Sequence, residues 1–490
     1  MVKDSEENIK KCLCPGCPSF PQDCKDEILY CARAGSRCDI NVKGCICRGC
    51  PVYFENGLNG LYFCNQEKVG NSGIWIRKKG SHEEKQFYQT IVDIKEIAST
   101  GKSIIRAMGS LKKMPFSFDD LHFVPAQVNK FPLNLEEKVN TEIKVGPKAK
   151  KPLNVSSPIM ISGLSFGAVS KKVRIIISRV AAELKIGFNS GEGGVLEEEI
   201  KNASKYLIIQ YATGRFGITD EILKKVAAIE IRFGQGAYPG KGSYLPAEKV
   251  TPEIAKIRML KPGQPAYSPA HHKDMVTPKE IREKVFWLRE ITDGVPIGAK
   301  IGCGNIEKDI QVLIDAGVDF ISIDGFGGGT GATDSCVREN VGIPLIAALP
   351  RAFRFLQKLG VKNNISLIAG GGLRTSADFT KCLALGADAV YIGTAALIAI
   401  NCEQHRICHT GLCPTGITTH DPELLKQLDI EKGIKKLLNF INVSTHEIEN
   451  FARIVGKDDI QKLDKNDLVS IKKDLSEITN VKWLNSNSGI

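Results

Sequence analysis

The chain reads as a closed (β/α)8 barrel with a small cysteine-rich module in front and a short helical tail behind. Two observations carry that reading. From about residue 155 a short apolar run, a glycine-rich turn and a helical stretch alternate, the grammar of a parallel α/β fold. Eight such runs occur, at 158–163, 186–189, 208–212, 229–233, 296–301, 320–323, 366–369 and 389–392, and eight is the number a closed barrel requires. The 490 residues exceed one ordinary domain, and 42% hydrophobic content is normal for a folded core.

In chain order, residues 1–80 form the cysteine-rich module. Cys12-Leu-Cys14-Pro-Gly-Cys17-Pro18 recurs as Cys45-Ile-Cys47-Arg-Gly-Cys50-Pro51, and Tyr30-Cys31 recurs as Phe63-Cys64, all at an offset of 33. Each half thus holds four thiols, the complement of one zinc or one 4Fe-4S cluster, and the spacing leaves both open. Iron–sulfur chemistry would give electrons a route to a redox centre, whereas zinc would only fold a segment too small for its own core. Cys24 and Cys38 have no counterpart in the second half. Residues 81–150 are expected as a connector packing on the barrel, without visible chemistry.

The barrel is expected over 151–428, with its site at the carboxyl ends of the strands. Gly370-Gly371-Gly372-Leu373-Arg374 follows the seventh run, Gly393-Thr394 the eighth, and Gly327-Gly328-Gly329-Thr330-Gly331 the sixth. Glycine lets backbone N–H groups approach an anion closely, so a bound phosphate is expected there. Downstream, Cys402, Cys408 and Cys413 suit an iron–sulfur cluster lacking one corner iron; zinc would need a fourth ligand such as His405 or His409. Residues 429–490 read as helices packing on the barrel, with Ile434, Leu437, Leu438 and Ile441 at helical spacing. Cys336 reads as a packed or idle thiol, and His271, His272 and His420 as loop or surface histidines.

The 66 basic and 55 acidic residues give a net charge of +11, scattered rather than blocked, which favours a solvated surface over a nucleic-acid groove. The start, Met1-Val-Lys-Asp-Ser-Glu-Glu, has no apolar leader, and no apolar run is long enough to span a bilayer. A cytoplasmic protein without nucleic-acid or membrane partners is expected. In a reducing compartment sixteen cysteines point to metal or redox centres rather than disulfides.

The motifs Leu164-Ser-Phe-Gly-Ala168-Val-Ser170, Asn189-Ser-Gly-Glu-Gly-Gly194, Thr213-Gly-Arg-Phe-Gly217, Gly234-Gln-Gly-Ala237, Gly328-Gly-Thr-Gly-Ala332, Gly370-Gly-Gly-Leu-Arg-Thr375 and the three-cysteine loop run in this order from Leu164 to Cys413 and carry a resemblance that covers about 115–460. They resemble the FMN-binding synthase domain of glutamate synthases, in its short stand-alone archaeal form. The resemblance implies an FMN phosphate held by Gly371, Gly372, Gly393 and Thr394, with Gly328, Gly329, Asp324 and Arg374 nearby. It sets the flavin ring over Ser165, Gly167 and Ala168, and Gln210 and Lys300 at its pyrimidine edge, where a cation stabilises the reduced flavin. It makes Cys402, Cys408 and Cys413 the ligands of a 3Fe-4S cluster.

The implied activity is that of an oxidoreductase acting on CH-NH2 donors: reduced FMN gives hydride to an imine of 2-oxoglutarate and ammonia, forming glutamate. Glu192 and Arg258 match family positions near the oxoacid. One departure stands out. Where the family usually reads Lys-Pro-Gly-Glu-Gly-Gly-Gln-Leu-Pro, this chain reads Tyr238-Pro-Gly-Lys241-Gly-Ser-Tyr244-Leu-Pro246, so Tyr replaces both a Lys and a Gln expected to hold the dicarboxylate. Lys241 is the cation that could restore the charge. The alternatives are a different oxoacid or amine on the same barrel, or a non-enzymatic redox partner. With no nucleophilic cysteine after Met1 and no strand–GxGxxG–helix unit, electrons are expected from a ferredoxin, an NADPH-oxidising subunit or the front module, and ammonia from a separate glutaminase subunit.

Overall fold

The computed structural model describes residues 2–21, 27–33, 35, 36, 38, 40, 41, 43–58, 62–69, 74–77 and 82–485. Cys24 and the end of the tail lie outside the described residues. The chain divides into two compact units, Met1–Ile104 and Ile105–Ile490. The division falls inside the stretch expected as a connector.

In the first unit short turns dominate. Helix Glu6–Lys11 is capped by Ser5, whose side chain accepts from the Asn8 N–H, with Glu6 and Glu7 in its first turn and Lys10 and Lys11 in its last. Single 3-10 turns follow at Cys14–Gly16 and Cys47–Gly49, then helix Pro51–Glu55 and the hairpin Gln66–Val69 with Ile74–Arg77. Helix His82–Thr100 ends the unit. Cys38, one of the two cysteines without a counterpart in the second half, is disulfide-bonded, which departs from the expectation of metal or redox centres rather than disulfides.

The second unit holds the barrel. Its strands are β1 (Ile159–Ile161), β2 (Phe188–Asn189), β3 (Leu207–Tyr211), β4 (Ala228–Arg232), β5 (Ile297–Gly302), β6 (Phe320–Asp324), β7 (Ser366–Gly370) and β8 (Ala389–Ile392). They close in sequence order, each parallel to the next, with β8 pairing back to β1 through Tyr391 and Met160. Every expected apolar run is a strand to within two residues. The strands are buried on both faces, which is why they read as continuous apolar runs rather than alternating ones.

Helices Lys171–Leu184, Ile306–Ala316, Leu345–Lys358 and Ser376–Ala384 cover the outside, each burying one apolar stripe. The tail adds helix Ile430–Ile454, which buries Ile434, Leu437 and Ile441 as their spacing implied. It packs on helix Lys171–Leu184, where Gly433 admits the Ile176 side chain. No helix among the described residues is long and apolar enough to cross a membrane.

Candidate active site

One cavity of about 150 Å³ opens at the carboxyl ends of the strands. Its walls come from all three glycine turns, from the turn at Ser165, from Glu192 and Arg258, and from Cys402, Cys408 and Cys413. The barrel therefore brings together residues up to about 250 positions apart.

The glycine turns stack on one another. Gly325 N–H donates to Gly370 O at 2.8 Å, which locks the turn after β6 to the turn after β7. A Cβ at Gly329 would lie 2.9 Å from Thr394 Oγ1, so the turns after β6 and β8 also meet. Gly328, Gly329, Gly371, Gly372, Gly393, Thr394, Asp324 and exposed Arg374 all line the cavity. Ser165 and Ala168 line it too; Gly167 does not, and its carbonyl oxygen accepts instead from His420 Nε2 at 3.0 Å.

Beneath the cavity the barrel interior is polar. Glu230 Oε1 accepts from Asn189 Nδ2 at 2.8 Å and from Gln210 Nε2 at 2.9 Å, and Gln210 reaches the cavity wall. Lys300 is buried, 4.0 Å from Asp324 Oδ2, 3.4 Å from Ser162 Oγ and 5.3 Å above the Tyr391 ring. Its three neighbours line the cavity, while the lysine sits one layer below.

The side of the cavity holding Glu192 is a charge cluster. Arg232, at the end of β4, donates to Glu192 Oε2 at 2.7 Å and to Tyr238 Oη at 3.0 Å, and Ser268 Oγ donates to Glu192 Oε2 at 2.6 Å. Ser243 Oγ donates to Glu192 Oε1. Burial would raise the Glu192 carboxyl, but Arg232 and Arg258 together with the two hydroxyls outweigh it and hold the group below the usual carboxylate range. Burial pushes Arg258 down to about 10, so it remains a cation at neutral pH. It donates from Nε and Nη2 to Phe166 O at 2.9 and 2.6 Å. One carboxylate thus faces two guanidiniums, and the wall carries net positive charge.

Neither Arg232 nor the serines were legible beforehand: Arg232 looked like the tail of an apolar strand. Lys241 does not restore the charge expected of it, because it is half exposed and ion-paired with Asp334. Met108 and Gly109 also line the cavity, although no chemistry was expected in their stretch. They are placed by the pairing of Ile105–Arg106 with Thr333–Asp334 and by Met108 N–H donating to Thr330 O at 2.6 Å.

At the far wall, Thr415 Oγ1 lies 3.3 Å from Cys413 Sγ. Burial would raise Cys413, yet the hydroxyls of Thr415 and Thr418 hold it below the ordinary thiol range; Cys402 is pushed up to about 11 by burial. Lys249 donates to Ala168 O and Cys408 O, both at 3.0 Å, tying the turn at Ser165 to the cysteine loop. His405 and His409 line the same wall. No three His, Cys, Asp or Glu side chains among the described residues converge on a single-ion site. Cys336 is exposed on helix Ser335–Asn340 and does not line the cavity.

His272 is buried rather than a surface histidine. Its Nε2 lies 2.9 Å from Arg232 O and its Nδ1 2.6 Å from Arg215 Nη1. Burial first, and Arg215 second, lower its pKa from 6.5 to about 4; the hydrogen bond to Arg232 O and the Asp274 charge oppose the shift, and the Arg232 charge adds a little to it. Between those values the unfolded chain takes up a proton that the folded chain refuses, so stability falls as pH drops from 6.5 to 4, by up to about 3 kcal/mol. Urea unfolding at pH 7 and pH 5 is expected to show about 2 kcal/mol of that loss, and His272→Gln to flatten it. An unchanged slope in the variant would assign the acid sensitivity elsewhere.

The conserved region of glutamate synthases matches residues 88–458, most of the chain. The chain belongs to the glutamate synthase family. A glutamate synthase large subunit-like protein of Rhizobium meliloti is 37% identical over 411 residues, covering 80% of this chain and 92% of that protein. An archaeal glutamate synthase (NADPH) of Methanocaldococcus jannaschii is 39% identical over 405 residues, covering 76% and 79% respectively. An archaeal glutamate synthase (NADPH) of Archaeoglobus fulgidus is 36% identical over 401 residues, covering 77% and 78%. As a member of the glutamate synthase family the protein is an oxidoreductase. Residues 12–65 match a family of unknown function, DUF2769.

Proposed function

We propose that this glutamate synthase family barrel binds FMN and reduces the imine of an oxoacid and ammonia, 2-oxoglutarate giving glutamate, with electrons arriving through iron–sulfur clusters. The observation that carries this reading is the single cavity shared by the glycine turns, the Glu192 cluster and the three cysteines. The donor sets fit their groups: backbone-lined turns for a phosphate, and three cysteines with hydroxyl partners for a 3Fe-4S cluster. FMN, when bound and reduced by two of those electrons, would supply a hydride to the imine carbon, while a proton goes to the imine nitrogen.

The side chains do the rest. Gly328, Gly329, Gly371, Gly372, Gly393, Thr394 and Arg374 would hold the phosphate. Gln210 and Lys300, supported by Asp324, would set the polarity at the flavin's pyrimidine edge. The net positive wall of Arg232 and Arg258 against Glu192 orients the oxoacid carboxylate. Anaerobic turnover with reduced viologen, ammonia and 2-oxoglutarate is expected to yield glutamate. A chain fully loaded with flavin that forms none would overturn that substrate.

A second reading, the same chemistry on another oxoacid or amine, is favoured by Tyr238. Its hydroxyl accepts from Arg232 where the family carries a cation, and Lys241 is engaged with Asp334. Under either reading Tyr238 positions Arg232, so Tyr238→Phe is expected to lower kcat/KM for the accepted oxoacid about tenfold, the worth of one hydrogen bond to a charged group. The loss should appear in KM rather than in flavin content. The electron donor proposed is a ferredoxin, a separate NADPH-oxidising subunit or the amino-terminal module.

A further inference from the structure

The two halves of the cysteine module repeat one conformation. The N–H of Cys17 donates to Cys14 O and that of Cys50 to Cys47 O, both at 3.0 Å, closing matching 3-10 turns. Leu29 and Tyr62, equivalent positions just before Tyr30-Cys31 and Phe63-Cys64, both take the left-handed conformation, with φ of 57° and 56°. Such a backbone is costly for a branched or bulky residue and persists where the surroundings require it. In the second half it turns the Tyr62 N–H onto Cys45 Sγ at 3.2 Å; in the first, the Cys14 N–H lies 3.5 Å from Cys12 Sγ. Donors aimed at sulfur are what a thiolate ligand needs around it.

The halves also reach across to each other, and they do so reciprocally. Cys17 Sγ lies 3.5 Å from Gly44 O, and Cys50 Sγ lies 3.8 Å from Lys11 O. Gly44 and Lys11 are equivalent residues, each immediately before the first cysteine of a half. The third sulfur of each half therefore sits at the entrance to the other half's triplet. Ser19 fixes one crossing, its Oγ donating to Gly44 O at 2.5 Å and accepting from Lys43 N and Gly44 N at 2.8 and 3.0 Å. Cys50 packs in a small apolar cluster that includes Cys12 and Cys31.

All eight sulfurs line one cavity, walled by Phe20, Tyr30, Tyr53 and Phe63. Cys14, Cys31 and Cys47 all pack against the cluster of Tyr30, Phe63 and Cys64, so two centres built in this cavity would be adjacent.

We propose that the module builds two four-thiolate metal centres across the duplication, Cys12, Cys14, Cys31 and Cys50 holding one, and Cys45, Cys47, Cys64 and Cys17 the other. The partition does not rest on the reading of the barrel. Each half then keeps three ligands and lends one. Neither half can complete a centre alone, so metal binding and folding of the two halves are linked into one step, which suits a segment with little core of its own.

Paired substitutions in the full-length protein separate crossed from uncrossed ligation. Purified anaerobically, each variant is assayed for iron, sulfide and zinc per chain against the unaltered protein. With crossed ligation, Cys17→Ala with Cys45→Ala removes two ligands from one centre and leaves the other whole, so one module centre is lost. Cys12→Ala with Cys17→Ala removes one ligand from each and is expected to deplete both. The reverse ranking overturns the proposal. If both pairs strip the module, brief oxidation of the metal-loaded full chain, which releases the metal from the folded module, followed by disulfide mapping decides. Cys31–Cys50 or Cys17–Cys64 bonds support the exchange, while Cys17–Cys31 or Cys50–Cys64 bonds overturn it.

Discussion

Replacing Arg174 with Met is expected to cost about 3–5 kcal/mol of folding stability, the scale set by stripping one partner from a buried ion pair. Arg174 is 1% exposed and meets Glu199 through two 2.6 Å bonds, from Nε and Nη2. It also donates to Leu164 O at 3.0 Å, Ser190 O at 2.8 Å and Gly194 O at 3.4 Å. Those carbonyls belong to the turns that carry Ser165 and Glu192, so one guanidinium ties the loops after β1 and β2 to the helix between them. Without it, the fully buried Glu199 carboxylate keeps the Leu196 N–H at 2.8 Å but has lost its counter-charge. At a few degrees per kcal/mol for a large domain, the thermal midpoint should fall by roughly 10 °C. Adding Glu199→Leu should recover much of that loss, since an ion pair replaced by apolar groups is far less costly than one left half-made. A single-variant loss under about 1 kcal/mol would mean that the loops are held by other contacts.

Arg174 also shows where sequence reading stops. The eight strands were legible because each is a short apolar run closed by a turn, a pattern carried by neighbours in sequence. The glycine turns and the three cysteines were legible for the same reason, since their chemistry lies in local spacing. Arg174 lies inside the helix Lys171–Leu184, where an arginine ordinarily faces water, and only the fold turns it inward. Arg232 was hidden in the same way at the end of an apolar strand. Met108 and Gly109 reach the cavity through strand pairing with Thr333–Asp334, more than two hundred residues away, for which no local signal exists. Lys241 erred in the other direction: its position in a recognisable motif suggested a role, whereas the surface offered it Asp334. In the amino-terminal module, spacing revealed the duplication and the four thiols of each half. It could not reveal that Cys17 and Cys50 face the opposite half, because an exchange leaves the sequence pattern unchanged.

Gly371→Ala is expected to purify with at most about one-tenth of the flavin per chain bound by the unaltered protein, without loss of the metal proposed for the amino-terminal module. Gly371 has φ of +113°, a conformation that residues with a side chain rarely adopt. A Cβ there would lie 2.6 Å from Gly325 N and 2.7 Å from Gly325 O. Both atoms are backbone and cannot swing aside. Gly325 is itself held by its bond to Gly370 O, so relief must come from moving the turn after β7 against the turn after β6. The strain alone is worth about 1–3 kcal/mol, and each 1.4 kcal/mol taken from binding is a tenfold loss of affinity. The displacement falls on Gly371, Gly372 and Gly328, the glycines proposed to meet the phosphate, and hardly at all on the barrel core. Gly304→Ala is the control: it has ordinary φ and nothing within 4 Å of its added Cβ, so flavin content should not change. Fluorescence of the flavin released by heat denaturation, measured per chain for both variants, checks the pair. Full flavin in Gly371→Ala would remove the turn after β7 from the phosphate site, and the Arg374 assignment with it, leaving Gly328, Gly329, Gly393 and Thr394 to hold the phosphate.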